Sequence, residues 1–184
     1  CLNINSYEEE IECLRKIQRS QFNLINGWEC RSGFIQLGSS ETLIDGTACC
    51  NDRARLIEQA LQYYGFQVRH IFLNQTQGLG YLNMLKPFSP THGTTEVQTS
   101  RGWVWVDSQY NRSKEKLFIL VDKKFKPYTY PEAIKSGLIY ELSINEDDFY
   151  SKPLIYTIGL YSRNGRFFAP YIPFLPEVNF SDFL

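Results

Sequence analysis

The order of its predicted elements gives this chain an α+β fold, an antiparallel sheet with helices grouped on one side. Three observations carry that reading. Two helical patterns come first and several strands follow, without the alternation of repeated βαβ units. Two turn signals, Ser100-Arg101-Gly102 and Arg163-Asn164-Gly165, separate β-rich runs as hairpins do. Aromatic residues reach 15% within a hydrophobic content of 43%, which suits a β-rich core or an aromatic-lined cleft. With 184 residues, the chain reads as one domain over 1–184 with room for a sizeable core.

Residues 6–19 predict a helix, because Ser6 and Glu9 have capping-box spacing and Tyr7, Ile11, Leu14 and Ile17 make one apolar stripe. Residues 20–48 are mixed and glycine-punctuated, with short extended pieces expected around 33–37. Residues 50–64 are the clearest helix: Ala54, Ile57, Leu61 and Tyr64 fall at helical spacing, and Gly65 is placed to stop it. Residues 66–73 follow as a strand, then a long Gly/Pro/Asn-rich loop over 74–91 of the kind that lines clefts. Residues 92–99 and 103–107 form a hairpin, and 117–122 another strand. Pro131 to Ser136 is a short helix ended by Gly137. Residues 154–161 and 166–171 pair as a second hairpin, and the Pro- and aromatic-rich tail from Pro170 lies over the surface as coil.

Charge excludes some functions. Nineteen basic against 20 acidic residues leave a net charge of −1, with no electrostatic case for nucleic acid or an anionic membrane surface. No apolar run reaches the roughly 18–20 residues of a spanning helix, so the chain is soluble or only tethered. It begins at Cys1, which implies processing or trimming. A lipid anchor at Cys1 would make the protein extracytoplasmic, whereas a trimmed boundary leaves the compartment open, cytoplasm included. The five cysteines are odd in number, lack zinc-like spacing and indicate no disulfide framework. Cys13 reads as a buried free thiol on the first helix.

Chemistry gathers at Cys50, His92 and Asp107. A thiol nucleophile needs a base to take its proton, and the base needs a carboxylate to orient it. Cys50 opens the strongest helix behind the Gly46 turn, where unpaired N–H groups and the macrodipole favour a thiolate. It begins the apolar spacing 50, 54, 57, 61, which prefers it over Cys49. The chain has two histidines: His70 sits mid-strand as a packed residue, and His92 opens a strand beside the long loop. Asp107 ends Trp103-Val104-Trp105-Val106, and the hairpin between it and His92 returns the chain to nearly the same level. Asp52, in the first turn of the Cys50 helix, would slightly oppose the thiolate.

These segments resemble the transglutaminase-like superfamily of papain-type thiol enzymes, in particular its bacterial transglutaminase-like domains. The matching pieces are Cys50-Asn51-Asp52-Arg53-Ala54, Gly65-Phe66-Gln67-Val68-Arg69, His92-Gly93-Thr94-Thr95-Glu96-Val97 and Trp103-Val104-Trp105-Val106-Asp107. They cover about 45–110, and 112–184 is a strand-rich extension outside the match. The resemblance implies a Cys-bearing helix packed on an antiparallel sheet that carries His and Asp. It makes Cys50 the nucleophile, His92 the base and Asp107 the orienting acid. The implied reaction is acyl transfer on a peptide, protein or other amide through a thioester, with hydrolysis ahead of cross-linking and no cofactor or metal. The chain departs from the pattern at Thr94, where the family commonly has an aromatic residue, and at the extra Cys49; Trp28 and Gln36 are the only upstream candidates for an oxyanion-hole side chain. Two other readings compete: a binding or scaffold module that keeps the fold with a vestigial site, and a Cys49-Cys50 redox or metal pair disfavoured by vicinal geometry.

Overall fold

The computed structural model describes residues 1–2, 4–27, 39–76, 78, 80, 90–111, 116–138, 149–150, 152–158, 161–163 and 166–168. Helix α1 spans Tyr7–Leu24. The Ser6 hydroxyl accepts from the Glu9 N–H at 3.3 Å, while the Glu9 carboxylate reaches the Asn5 N–H at 2.6 Å. Its apolar stripe Tyr7, Ile11, Leu14, Ile17 is buried as expected, but the helix continues past residue 19. The continuation is hidden in the sequence because Gln18 and Gln21 occupy buried positions and break the apolar period.

Helix α2, Ser39–Asp45, was not expected; only Thr42 in it is buried, so it shows no apolar stripe. The extended pieces predicted at 33–37 lie outside the described residues, as do Trp28 and Gln36. Helix α3 spans Cys50–Tyr63 and buries Ala54, Ile57 and Leu61 completely. Gly65 follows its C-cap at φ +88°, a conformation that costs glycine little.

The sheet has five strands in the order β4-β3-β2-β1-β5: β1 Gln67–Gln75, β2 Thr91–Thr99, β3 Gly102–Asn111, β4 Lys116–Ile119 and β5 Leu154–Ile158. All four pairings are antiparallel. Alternation along the strands builds two cores. Val97, Val104 and Val106 face α1 and α3. Trp105, Ile71 and Leu73 face the other way, onto Tyr130 and Ala133 of helix α4, Tyr130–Ser136. The fold is therefore α+β, with helices packed on both faces of the sheet rather than grouped on one. The apolar stripe of α4 is too short to announce its side.

The C-terminal hairpin also differs. The predicted strand 154–161 divides into β5, which joins the main sheet beside β1, and β6, Tyr161–Arg163. The latter pairs with β7, Arg166–Phe168, so the turn signal at 163–165 marks a hairpin of very short strands. The tail from 169 lies outside the described residues.

Cys13 is not a free thiol: it forms a disulfide with Cys1, with their Cα atoms 5.1 Å apart. The N-terminal segment folds back onto α1, which a count of cysteines does not reveal. The same sulfur cannot also carry a lipid, so this bond and the Cys1 anchor exclude each other. Among the described residues, no helix is long and apolar enough to cross a membrane.

Candidate active site

Cys50 is the first residue of α3, and Cys49 is its N-cap. Neither is in a disulfide. The Asp52 carboxylate accepts the Cys49 backbone N–H at 3.3 Å and the Cys49 thiol at 3.2 Å. The Cys49 thiol is the donor in this contact. Asp52 thus caps the helix through the Cys49 backbone N–H and takes up the Cys49 thiol. Arg53 secures the preceding turn: its Nη2 donates to the Gly27 carbonyl at 2.8 Å and its Nε to the Ala48 carbonyl at 3.3 Å.

His92 and Asp107 meet directly, with Nε2 2.6 Å from Oδ1. They are not directly opposite in the hairpin, whose paired register closes at Thr95 and Val106. The imidazole spans a diagonal offset to the carboxylate on the same face. A register shift between β3 and β4 falls between Val106 and Tyr110, the stretch that carries Asp107. Irregularities of this kind re-aim side chains at strand edges. The ionised carboxylate only accepts, so it fixes the Nε2–H tautomer and leaves Nδ1 as the acceptor.

The helix that begins at Cys50 meets the His92 strand through Asn51. Asn51 lies on Gly93, and a Cβ built on Gly93 would sit 2.0 Å from Asn51 Oδ1 and 3.0 Å from Asn51 Cα. The absent side chain lets the first turn of α3 rest on the strand backbone. Cys50 and His92 are each one residue from that contact. Cys50, His92 and Asp107 are 8%, 4% and 1% exposed.

Sequence reasoning missed two supports of Asp107. The Gln18 amide of α1 donates to its backbone carbonyl at 2.7 Å. The Tyr150 hydroxyl donates to Oδ2 at 2.6 Å. Neither carried a signal: Gln18 is one of several glutamines in the chain, and Tyr150 is one of twelve tyrosines. Three further motif residues, Glu96, Arg69 and Thr94, make structural contacts. Glu96 is fully buried, and its carboxylate accepts Arg69 Nε at 2.9 Å, the Tyr130 N–H at 3.1 Å and the Tyr156 hydroxyl at 2.9 Å. Burial, then the adjacent Glu96 charge, pushes the Tyr156 phenol up, which keeps it the donor. Arg69 also stacks on Trp103, 4.2 Å from the ring centroid. Thr94 accepts the Trp105 indole N–H at 2.7 Å.

His70 is a packed residue, as expected: its Nδ1 is 2.7 Å from Glu58 Oε1, which also accepts from Thr95 at 3.0 Å. Among the described residues, no three His, Cys, Asp or Glu side chains converge to hold a metal ion. Comparison with protein-family models, with curated proteins and with solved structures finds no match to this chain.

Proposed function

We propose that this chain is a cysteine-dependent acyl-transfer enzyme with a transglutaminase-like, papain-type fold, in which Cys50 is the nucleophile, His92 the base and Asp107 the orienting acid. The observation that carries the reading is the buried 2.6 Å His92–Asp107 contact beside the first turn of the helix that begins at Cys50. In the first half-reaction the Cys50 sulfur bonds to an amide carbonyl carbon, having lost its proton to His92 Nδ1. First-turn N–H groups of α3 serve the oxyanion. His92 returns the proton to the leaving amine as the C–N bond breaks, and a thioester remains. In the second, His92 takes a proton from water or an amine, the new C–O or C–N bond forms, and the C–S bond breaks. The substrate class is a peptide, protein or other amide, with hydrolysis ahead of cross-linking. The Cys1–Cys13 disulfide supports an oxidising, extracytoplasmic setting.

One observation favours the scaffold reading: both reacting groups are buried, Cys50 at 8% and His92 at 4% exposure, whereas a substrate must reach them. Acetylation by p-nitrophenyl acetate separates the two. The enzyme reading expects a burst of one equivalent of nitrophenol, a single acetyl group on Cys50, faster turnover with hydroxylamine, and no burst in Cys50→Ser. Acetylation no faster than that of a cysteine in an unfolded peptide would leave the scaffold.

A further inference from the structure

Residues 149–150 bring two aromatic rings against the base from outside the motif-bearing segment. Phe149 meets the His92 ring edge-on at 5.7 Å between centroids, and Tyr150 does so at 5.9 Å with an interplanar angle of 85°. The pair is held to the sheet. Gln75 Nε2 donates to the Phe149 carbonyl at 3.1 Å, and the Thr76 N–H donates to the Pro153 carbonyl at 3.0 Å. Tyr150 is itself wedged between Trp105 at 5.9 Å and Tyr130 at 6.2 Å, and is only 6% exposed.

We propose that Tyr150 is a positioning residue of the site: its hydroxyl pins the Asp107 carboxylate through Oδ2, so that Oδ1 holds the His92 ring in one orientation. The idea rests on the acyl-transfer reading and extends it to residues 112–184. A carboxylate held by one oxygen alone can swivel about its Cβ–Cγ bond. Here both oxygens are bound, Oδ1 to imidazole and Oδ2 to phenol, each at 2.6 Å. The plane of the carboxylate is therefore fixed, and with it the direction of the Nε2–H bond. Hydrogen bonds to an ionised acceptor are the short, strong kind. The four neighbouring rings keep water from competing for the same oxygens.

Tyr150→Phe tests this, since it keeps the ring and its packing and removes only the donor. Two readouts are needed. The first is the downfield proton resonance of His92 Nε2–H, assigned by its loss in His92→Gln. The second is the rate of Cys50 alkylation by iodoacetamide at fixed mildly acidic pH. The expected result is an upfield shift or exchange broadening of the resonance, with alkylation about tenfold slower, the effect of one hydrogen bond to a charged group. Circular dichroism melting separates these effects from simple loss of fold. An unchanged resonance and an unchanged rate in a folded Tyr150→Phe protein overturn the proposal while leaving the acyl-transfer reading intact. Ordinary thiol reactivity of wild-type Cys50 sinks the acyl-transfer reading instead, and the resonance alone then decides for or against Tyr150.

Discussion

Gly93 sets how closely the first turn of α3 approaches β2. Any side chain there would strike Asn51, whose Cα lies 3.0 Å from the position a Cβ would take. Gly93→Ala therefore pushes the first turn of α3 off β2 and moves Cys50 away from His92. A displacement near 1 Å is enough to cost about 10²-fold in rate. The nitrophenyl acetate burst should slow by that order while the melting temperature changes modestly; an unaffected burst would mean that the contact is irrelevant to chemistry. The glycine was legible in the sequence only as a small residue after His92. Its purpose was not, because Asn51 is 42 positions away in the chain. Cys49 and Asp52 are only three positions apart, yet Asp52 reads in the sequence solely as opposing a thiolate at Cys50. Sequence preferred Cys50 on helical phase; the structure turns the Cys49 thiol onto Asp52.

At the scale of elements, sequence legibility followed local signals. Helix α3 and its glycine stop were plain because apolar period and breaker agree. Helix α4 carries equally local chemistry. The Glu132 carboxylate accepts the Thr129 N–H at 2.9 Å and its hydroxyl at 2.8 Å, and Thr129 Oγ1 accepts the Glu132 N–H at 3.4 Å. The Thr129 backbone hydrogen bond first, then its hydroxyl, holds the Glu132 carboxyl below its ordinary value. A carboxyl lowered on folding stabilises the fold above its unfolded value, and that stability fades as pH falls through the folded one. Glu132→Gln should accordingly lower stability near neutrality by about 0.5 kcal/mol, the low end for an exposed charge at a helix start. The difference should vanish in acid. Denaturant melts at two pH values check it, and a deficit that persists at low pH would contradict the assignment. Where elements were misread, a long-range partner had decided them. The end of α1 buries Gln18 and Gln21, Gln18 donating to the Asp107 carbonyl, and β5 is extracted from its hairpin by pairing with β1.

Across the whole molecule, the strand that bears His92 is tied to elements far apart in sequence. Glu96, four residues on, gathers Arg69 from β1, the start of α4 and Tyr156 from β5. Asp107 gathers Gln18 from α1 and Tyr150 from the C-terminal extension. The motif residues were visible because each stands out locally: a thiol at a helix start, a histidine opening a strand, an aspartate after an apolar run. Their partners were not, since tyrosines and glutamines carry no marker of which distant carboxylate they will meet. The extension that the motif left without a role thus closes one face of the sheet and one side of the His92–Asp107 pair.

The central claim is that the imidazole held by Asp107 takes the Cys50 proton. Iodoacetamide alkylation of Cys50 across pH tests it most directly, with His92→Ala alongside. The account predicts rapid labelling of the wild type at pH about 6, well below the value near 8.5 at which an ordinary cysteine ionises, and a return to that ordinary profile in His92→Ala. Identical profiles in the two proteins, both centred where a free thiol titrates, would contradict it.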